Sequence, residues 1–208
     1  MNLIQISLTN RCNRSCDYCP IKPWRNNPAY PNKLTNEKLF LLLEKLNPKE
    51  WAIELTGGEP ALYLELDELL GWLQAKGFHG LIKTNGTQYI RKVPSFKIVA
   101  AFHNLNKPPK WFEDILIIAH TPDFERKIEW CLERGISYKV IERDTYNKPA
   151  GKDDKSDGKI MFITPGGHKS ECSAGTQRVP LEDAEMPSRD ACPGCKTFKD
   201  FKIFFKEM

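Results

Sequence analysis

The chain has 208 residues, 40% of them hydrophobic and 28% charged, enough apolar material for one buried core and a small appendage. No apolar run approaches the ~20 residues of a membrane span, and the opening MNLIQISLTN lacks the basic-then-apolar layout of a signal peptide, so a cytoplasmic location with no membrane partner is expected. The formal charge of +4 permits a polyanionic partner without arguing for one, which leaves nucleic-acid binding open.

Strand-like and helix-like stretches then alternate. Ile4, Ile6 and Leu8 alternate with polar neighbours and predict a first strand; Leu39, Leu42, Leu43 and Leu46, behind a Thr35 cap, predict an amphipathic helix. WAIELT (51–56) predicts a second strand, and Leu66, Leu69, Leu70 and Leu73 a second helix with Gly77 at its C′ position. GLIKT (80–84), FKIVAAF (96–102) and ILIIA (115–119) predict strands three to five. A helix after them should turn Phe124, Ile128, Cys131 and Leu132 inward and stop at Gly135, before a sixth strand in SYKVIE (137–142). The connections at 86–95 and 103–114 are short, so their helices should be vestigial. Repeated strand–helix units imply an α/β fold with a parallel sheet, either a layer or an incomplete barrel. The polar, aperiodic stretch beginning at Lys148 reads as a linker, dividing the chain into a barrel-like unit over 1–147, a linker over 148–158 and an extension over 159–208.

Six of the seven cysteines lie towards the two ends of the chain, which suggests metal ligation more than disulfides. RCNRSCDYCPIKPW (11–24) places Cys12, Cys16 and Cys19 in the loop after strand one, at the carboxyl end of a parallel strand, where α/β folds usually place ligands. A 4Fe-4S cluster needs four ligands, so three thiolates leave one iron open to a small molecule. The alternative is a zinc knuckle completed by a distant fourth residue. Cys131 has the helical spacing of a core residue.

The C-x3-C-x2-C spacing, with aromatic Tyr18 before the last cysteine, resembles the signature of the radical S-adenosylmethionine (SAM) superfamily. LTGGEP (55–60) looks like that superfamily's GGE motif at the end of the next strand, and KTNG (83–86) follows in the corresponding place on strand three. The resemblance covers roughly residues 1–145. It implies a partial (β/α)6 barrel with a small carboxyl-terminal extension. It also implies a 4Fe-4S cluster on Cys12, Cys16 and Cys19, with SAM on the open iron. The expected activity is reductive SAM cleavage, giving a 5′-deoxyadenosyl radical that abstracts hydrogen, with a reductant such as flavodoxin or ferredoxin as partner.

By the same resemblance, Gly57 and Gly58 would let the backbone approach the methionyl moiety, Glu59 would accept from the SAM ammonium, Tyr18 would border the adenine and Asn85 would meet the carboxylate or ribose. His103 follows strand four, where it could face the substrate with a charge switch near physiological pH. Glu142 and Arg143 close strand six, more simply as a solvated pair. CSAG (172–175) is similar to the opening of the cysteine-rich extension of peptide-modifying members. A ribosomal peptide is therefore the expected substrate class, with a nucleotide or nucleobase as the alternative and activation of a glycyl-radical enzyme as a third. Outside enzymes, an iron–sulfur electron-transfer module is the competing reading, although a pure electron carrier would more naturally have four protein ligands. His168, Cys172, Cys192 and Cys195 form a candidate second site for zinc or an auxiliary iron–sulfur cluster.

Overall fold

The computed structural model describes residues 1–16, 19, 21–119, 121, 123–141, 159–166, 168–170, 179–180 and 189–190. The alternation in the first strand is resolved by two different burial environments. Ile4 and Ile6 of β1 (Asn2–Ser7) share one apolar cluster with Ile53 and Leu55 of β2 (Trp51–Thr56), Ile82 of β3 (His79–Thr84) and Ile98 of β4 (Phe96–Ala101). Leu39, Leu42 and Leu43 of α1 (Asn36–Leu43) and the leucines of α2 (Leu66–Ala75) close over that face. Leu3, Ala52, Leu81 and Val99, at the alternate positions, form a second cluster with Leu116 of β5 (Asp114–Ile118). Both faces of these strands are thus covered, and each buried leucine or isoleucine contributes about 1.5–3 kcal/mol.

Helix boundaries follow local chemistry. The Thr35 hydroxyl accepts from the Lys38 amide at 3.4 Å and caps α1. Gly77, at φ 79°, supplies the left-handed residue just past α2. Among the described residues no helix separates β3 from β4 or β4 from β5, in keeping with the short connections. α3 (Phe124–Leu132) carries a correction: Leu132 is 64% exposed, and Lys127, one turn before fully buried Cys131, takes the inward position. Cys131 is a core residue whose thiol burial pushes up to about 11.

The sheet order is β6 (Tyr138–Ile141), β5, β4, β3, β2, β1, then β7 (Lys159–Ile163), β8 (His168–Ser170) and β9 (Val179–Pro180). The pairings from β6 through β7 are all parallel, and β8, β9 and β10 (Arg189–Asp190) are antiparallel additions beyond β7. The strands run in sequence away from β1, so the sheet is an unclosed α/β arrangement with β6 at one edge. β7 aligns Leu3 with Ile160 and Ile6 with Ile163, making the start of the extension a seventh parallel strand beside β1. The proposed linker at 148–158 lies outside the described residues. No helix among the described residues is long and apolar enough to cross a membrane.

Candidate active site at the carboxyl ends of β1 to β4

Beyond β1 the chain leaves the sheet as a loop that is fastened at several points. Asn26, in the left-handed region at φ 53°, brackets Cys12: its Oδ1 accepts from the Cys12 amide at 3.0 Å and its Nδ2 donates to the Cys12 carbonyl at 2.8 Å. The Cys19 amide donates to the Cys16 carbonyl at 3.3 Å, and Arg25 reaches that same carbonyl at 3.4 Å. Cys12, Cys16 and Cys19 are free and half-buried. Burial pushes the Cys12 thiol up, as do the charges of Glu59 and Cys19, while the Arg14 amide and Asn85 side chain pull it down. Cys16 is raised chiefly by burial and then by Cys19.

The next strand end is packed directly on this loop. Gly58 donates its amide to the Thr9 carbonyl at 2.6 Å, and the Glu59 amide donates to the Arg11 carbonyl at 2.8 Å. A Cβ on Gly58 would stand 2.1 Å from the Arg11 carbonyl oxygen; one on Gly57, whose φ is 137°, would stand 2.6 Å from that of Thr9. The close approach that these two glycines permit is therefore, first, to the backbone of the cysteine loop itself.

Glu59 is fully buried. Its Oε1 accepts from the Thr84 hydroxyl at 2.6 Å and the Ala61 amide at 3.0 Å, and its Oε2 from the Asn85 amide at 2.7 Å. Burial raises its pKa, with these donors and the Arg14 charge opposing. One carboxylate lone pair, on Oε2, remains for a ligand. Asn85 continues the chain of contacts: its Nδ2 donates to Asn13 Oδ1 at 2.9 Å and lies 3.9 Å from the Cys12 sulfur. The turn after β2, the end of β3 and the cysteine loop thus form one hydrogen-bonded unit.

Among the described residues no three His, Cys, Asp or Glu side chains converge closely enough to hold a single metal ion. A zinc bound by thiolates at ~2.3 Å would draw their sulfurs to within about 4 Å of one another. A 4Fe-4S cluster takes each thiolate on a different iron and so asks for wider spacing. Three soft donors on one half-buried loop fit such a cluster.

A family model described as the Radical SAM superfamily matches residues 6–142. The chain belongs to the radical SAM superfamily. This is a family of enzymes that bind SAM and a 4Fe-4S cluster. The chain is 40% identical over 72 residues to GTP 3′,8-cyclase of Sulfurimonas denitrificans, a match covering 34% of this chain and 22% of the relative. It is 32% identical over 98 residues to 7,8-dihydro-6-hydroxymethylpterin dimethyltransferase of Methanocaldococcus jannaschii, covering 44% of this chain and 19% of that one. The chain thus spans about a fifth of the length of these relatives. Two solved structures share the radical SAM fold. Streptococcus suis SuiB bound to precursor peptide SuiA gives a TM-score of 0.60 at 12% identity, covering 87% of this chain and 62% of that one. The anSMEcpe enzyme with bound AdoMet gives 0.63 at 14% identity, covering 89% and 80%.

Of the radical SAM residues expected from sequence, Cys12, Cys16, Cys19, Gly57, Gly58, Glu59 and Asn85 come together in the contacts above. Tyr18, Glu142, Arg143, Cys172, Cys192 and Cys195 lie outside the described residues. His168 opens β8, half-buried, with its amide donating to the Thr164 hydroxyl at 3.3 Å. Two residues near the site carry charge that the motifs did not flag. Arg14 sits between Cys12 and Cys16, and Lys127 is buried with its Nζ 3.1 Å from the Thr121 hydroxyl. Lys127 lies three residues after Phe124 and four before Cys131, a spacing that could have signalled its burial.

His103 corrects an expectation. Burial, with Arg14 and Lys127 adding to it, pushes the imidazole down to about 4, so it is neutral across the physiological range and is no switch there. Because the folded value is depressed below the ordinary 6.5, His103 contributes stability that is fully present above that value and lost as pH falls toward 4. In cluster-free protein, NMR of labelled histidine should show the His103 ring unprotonated from pH 8 to 5; a midpoint near 6.5 would place it in solvent.

Proposed function

We propose that this chain holds a 4Fe-4S cluster through Cys12, Cys16 and Cys19, binds SAM beside it against the Gly57–Glu59 turn, and uses reductive SAM cleavage to abstract hydrogen from a substrate. The observation that carries this reading is the bonding of the cysteine loop to the glycine turn at Thr9–Gly58 and Arg11–Glu59, which brings the two motifs together on adjacent parallel strands. When bound, the cluster and SAM supply an electron and, on scission of the S–C5′ bond, methionine and a 5′-deoxyadenosyl radical.

The chain's own part is positioning. Asn26 fixes the backbone of Cys12 from both sides, which sets where its Cβ leaves the loop. Asn85 places an amide N–H beside the Cys12 sulfur, where it favours the charged thiolate. Glu59 holds Asn85 and Thr84 against the turn, and any direct contact with the SAM ammonium falls to the remaining Oε2 lone pair. Tyr18 bordering the adenine and a flavodoxin or ferredoxin as electron donor complete the proposal.

For the substrate, a ribosomal peptide is our first reading, supported by CSAG at 172–175 and by fold neighbours bound to a precursor peptide and to the Cp18Cys peptide. A nucleotide or related heterocycle is favoured by the relatives matched in sequence, a GTP cyclase and a pterin dimethyltransferase. A tail site for zinc or an auxiliary cluster on His168, Cys172, Cys192 and Cys195 stands as a further proposal. The central test is anaerobic reconstitution followed by reduction with dithionite: methionine and 5′-deoxyadenosine should appear in equal amounts. Cluster-loaded, SAM-bound protein that releases neither on reduction would overturn the activity.

A further inference from the structure

Arg14 lies two residues from Cys12 and two from Cys16, on the cysteine loop. Arg14 is half-buried, and its Nη2 donates to the Lys107 carbonyl, in the loop after β4, at 2.7 Å. Its Nε is buried with no acceptor among the described residues. An unsatisfied guanidinium donor in such a place costs on the order of the hydrogen bond it lacks, and the planar fork is suited to a carboxylate or phosphate. The surrounding charge has the matching sign. The charges of Arg14 and of buried Lys127 both push the half-buried imidazole of His103, just past β4, down. The carboxylate whose field is felt with Arg14, Glu59, is already engaged by three other donors.

We propose that Arg14 is the oxyanion receptor of this site, its Nε taking a carboxylate or phosphate of a molecule seated over the carboxyl ends of β1, β3 and β4, with Lys127 reinforcing the positive field. This rests on the radical SAM reading above, because that reading supplies a ligand here. The anion has two sources: the methionyl carboxylate of SAM or an acidic group of the substrate. Hydrogen bonds to a charged group are worth enough that loss of this one should weaken binding about 10- to 100-fold.

The test compares reconstituted wild-type protein with Arg14→Gln, each titrated calorimetrically with SAM, with decarboxylated SAM and with pyrophosphate as the phosphate probe. Iron content and absorption serve as the control for an intact cluster. If the carboxylate of SAM is the partner, Arg14→Gln weakens SAM and leaves decarboxylated SAM unchanged. If the anion belongs to the substrate, SAM is unchanged and pyrophosphate weakens. Equal affinities for all three ligands in both proteins would overturn the subsite, and a shifted cluster potential alongside them would make Arg14 a counter-charge of the cluster instead. Should Arg14→Gln fail to hold the cluster, Arg14→Lys, which keeps the charge and loses the Nε donor, carries the same comparison. Wild-type protein that does not bind SAM would sink the parent reading, and the pyrophosphate arm alone would then decide whether the subsite exists.

Discussion

Cys16→Ala protein, reconstituted anaerobically, should show no stable 4Fe-4S absorption and no release of 5′-deoxyadenosine above the level of a cluster-free control. The expected effect is complete because oxygen and nitrogen groups are poor substitutes for thiolate at this cluster, and the three thiols on the loop leave none in reserve. The loop itself should survive. Its fastening runs through the Cys16 carbonyl, which receives the Cys19 amide and Arg25, and through Asn26 on Cys12, none of which needs the Cys16 side chain. Thermal unfolding of the cluster-free variant should therefore match cluster-free wild type, separating lost ligation from lost structure. A cluster-loaded, fully active Cys16→Ala protein would remove Cys16 from the ligand set.

Much of the sheet was legible because strand alternation and the leucine spacing of α1 and α2 record the same fact, that one side of each element is dry. WAIELT is β2 without change of boundary, and Leu66, Leu69, Leu70 and Leu73 all face the core. Leu132 and Lys127 show where that signal fails. Periodicity assigns the apolar residue to the interior, but the long lysine stem can be buried while its ammonium meets Thr121, and the leucine is left outside. β7 could not be placed from pattern alone. Pairing beside β1 joins residues far apart in sequence, and nothing local in KIMFI specifies which sheet edge it completes.

The site was legible as motifs and not as contacts. Spacing marked Cys12, Cys16 and Cys19, and Gly57-Gly58-Glu59 marked the facing turn. The press of Gly58 on Arg11 joins two strand ends and leaves no local mark in either motif. The same holds for the saturation of Glu59 and the bracket made by Asn26, a residue seven positions beyond Cys19. Arg14 was visible in the motif but carried no signal, since a guanidinium between ligands reads equally as a solvated charge until its Nε is seen to be enclosed.

Glu59→Ala should lower the stability of the cluster-free protein by about 2–4 kcal/mol, the second large effect expected here. The carboxylate caps the 3-10 turn Pro60–Leu62 through the Ala61 amide and accepts from Thr84 and Asn85. Alanine leaves the Asn85 amide buried without that acceptor and removes the cap, whereas the Thr84 hydroxyl can rotate to limit its own loss. Glu59→Gln should fall between. Its amide oxygen can still serve Thr84 and Ala61, but its NH2 must then face the Asn85 N–H, setting donor against donor. Denaturant unfolding of the three proteins gives the order, wild type above Glu59→Gln above Glu59→Ala. SAM titration of the cluster-loaded forms then separates two roles for this carboxylate. Direct contact with the ammonium predicts that Glu59→Gln loses SAM affinity about 5- to 150-fold, as expected for 1–3 kcal/mol of a charge-assisted bond. Action through position alone predicts near-normal SAM affinity in Glu59→Gln once it is folded, because the turn is still held at two of its three points. Unaltered stability in Glu59→Ala would mean that the turn does not depend on this carboxylate at all.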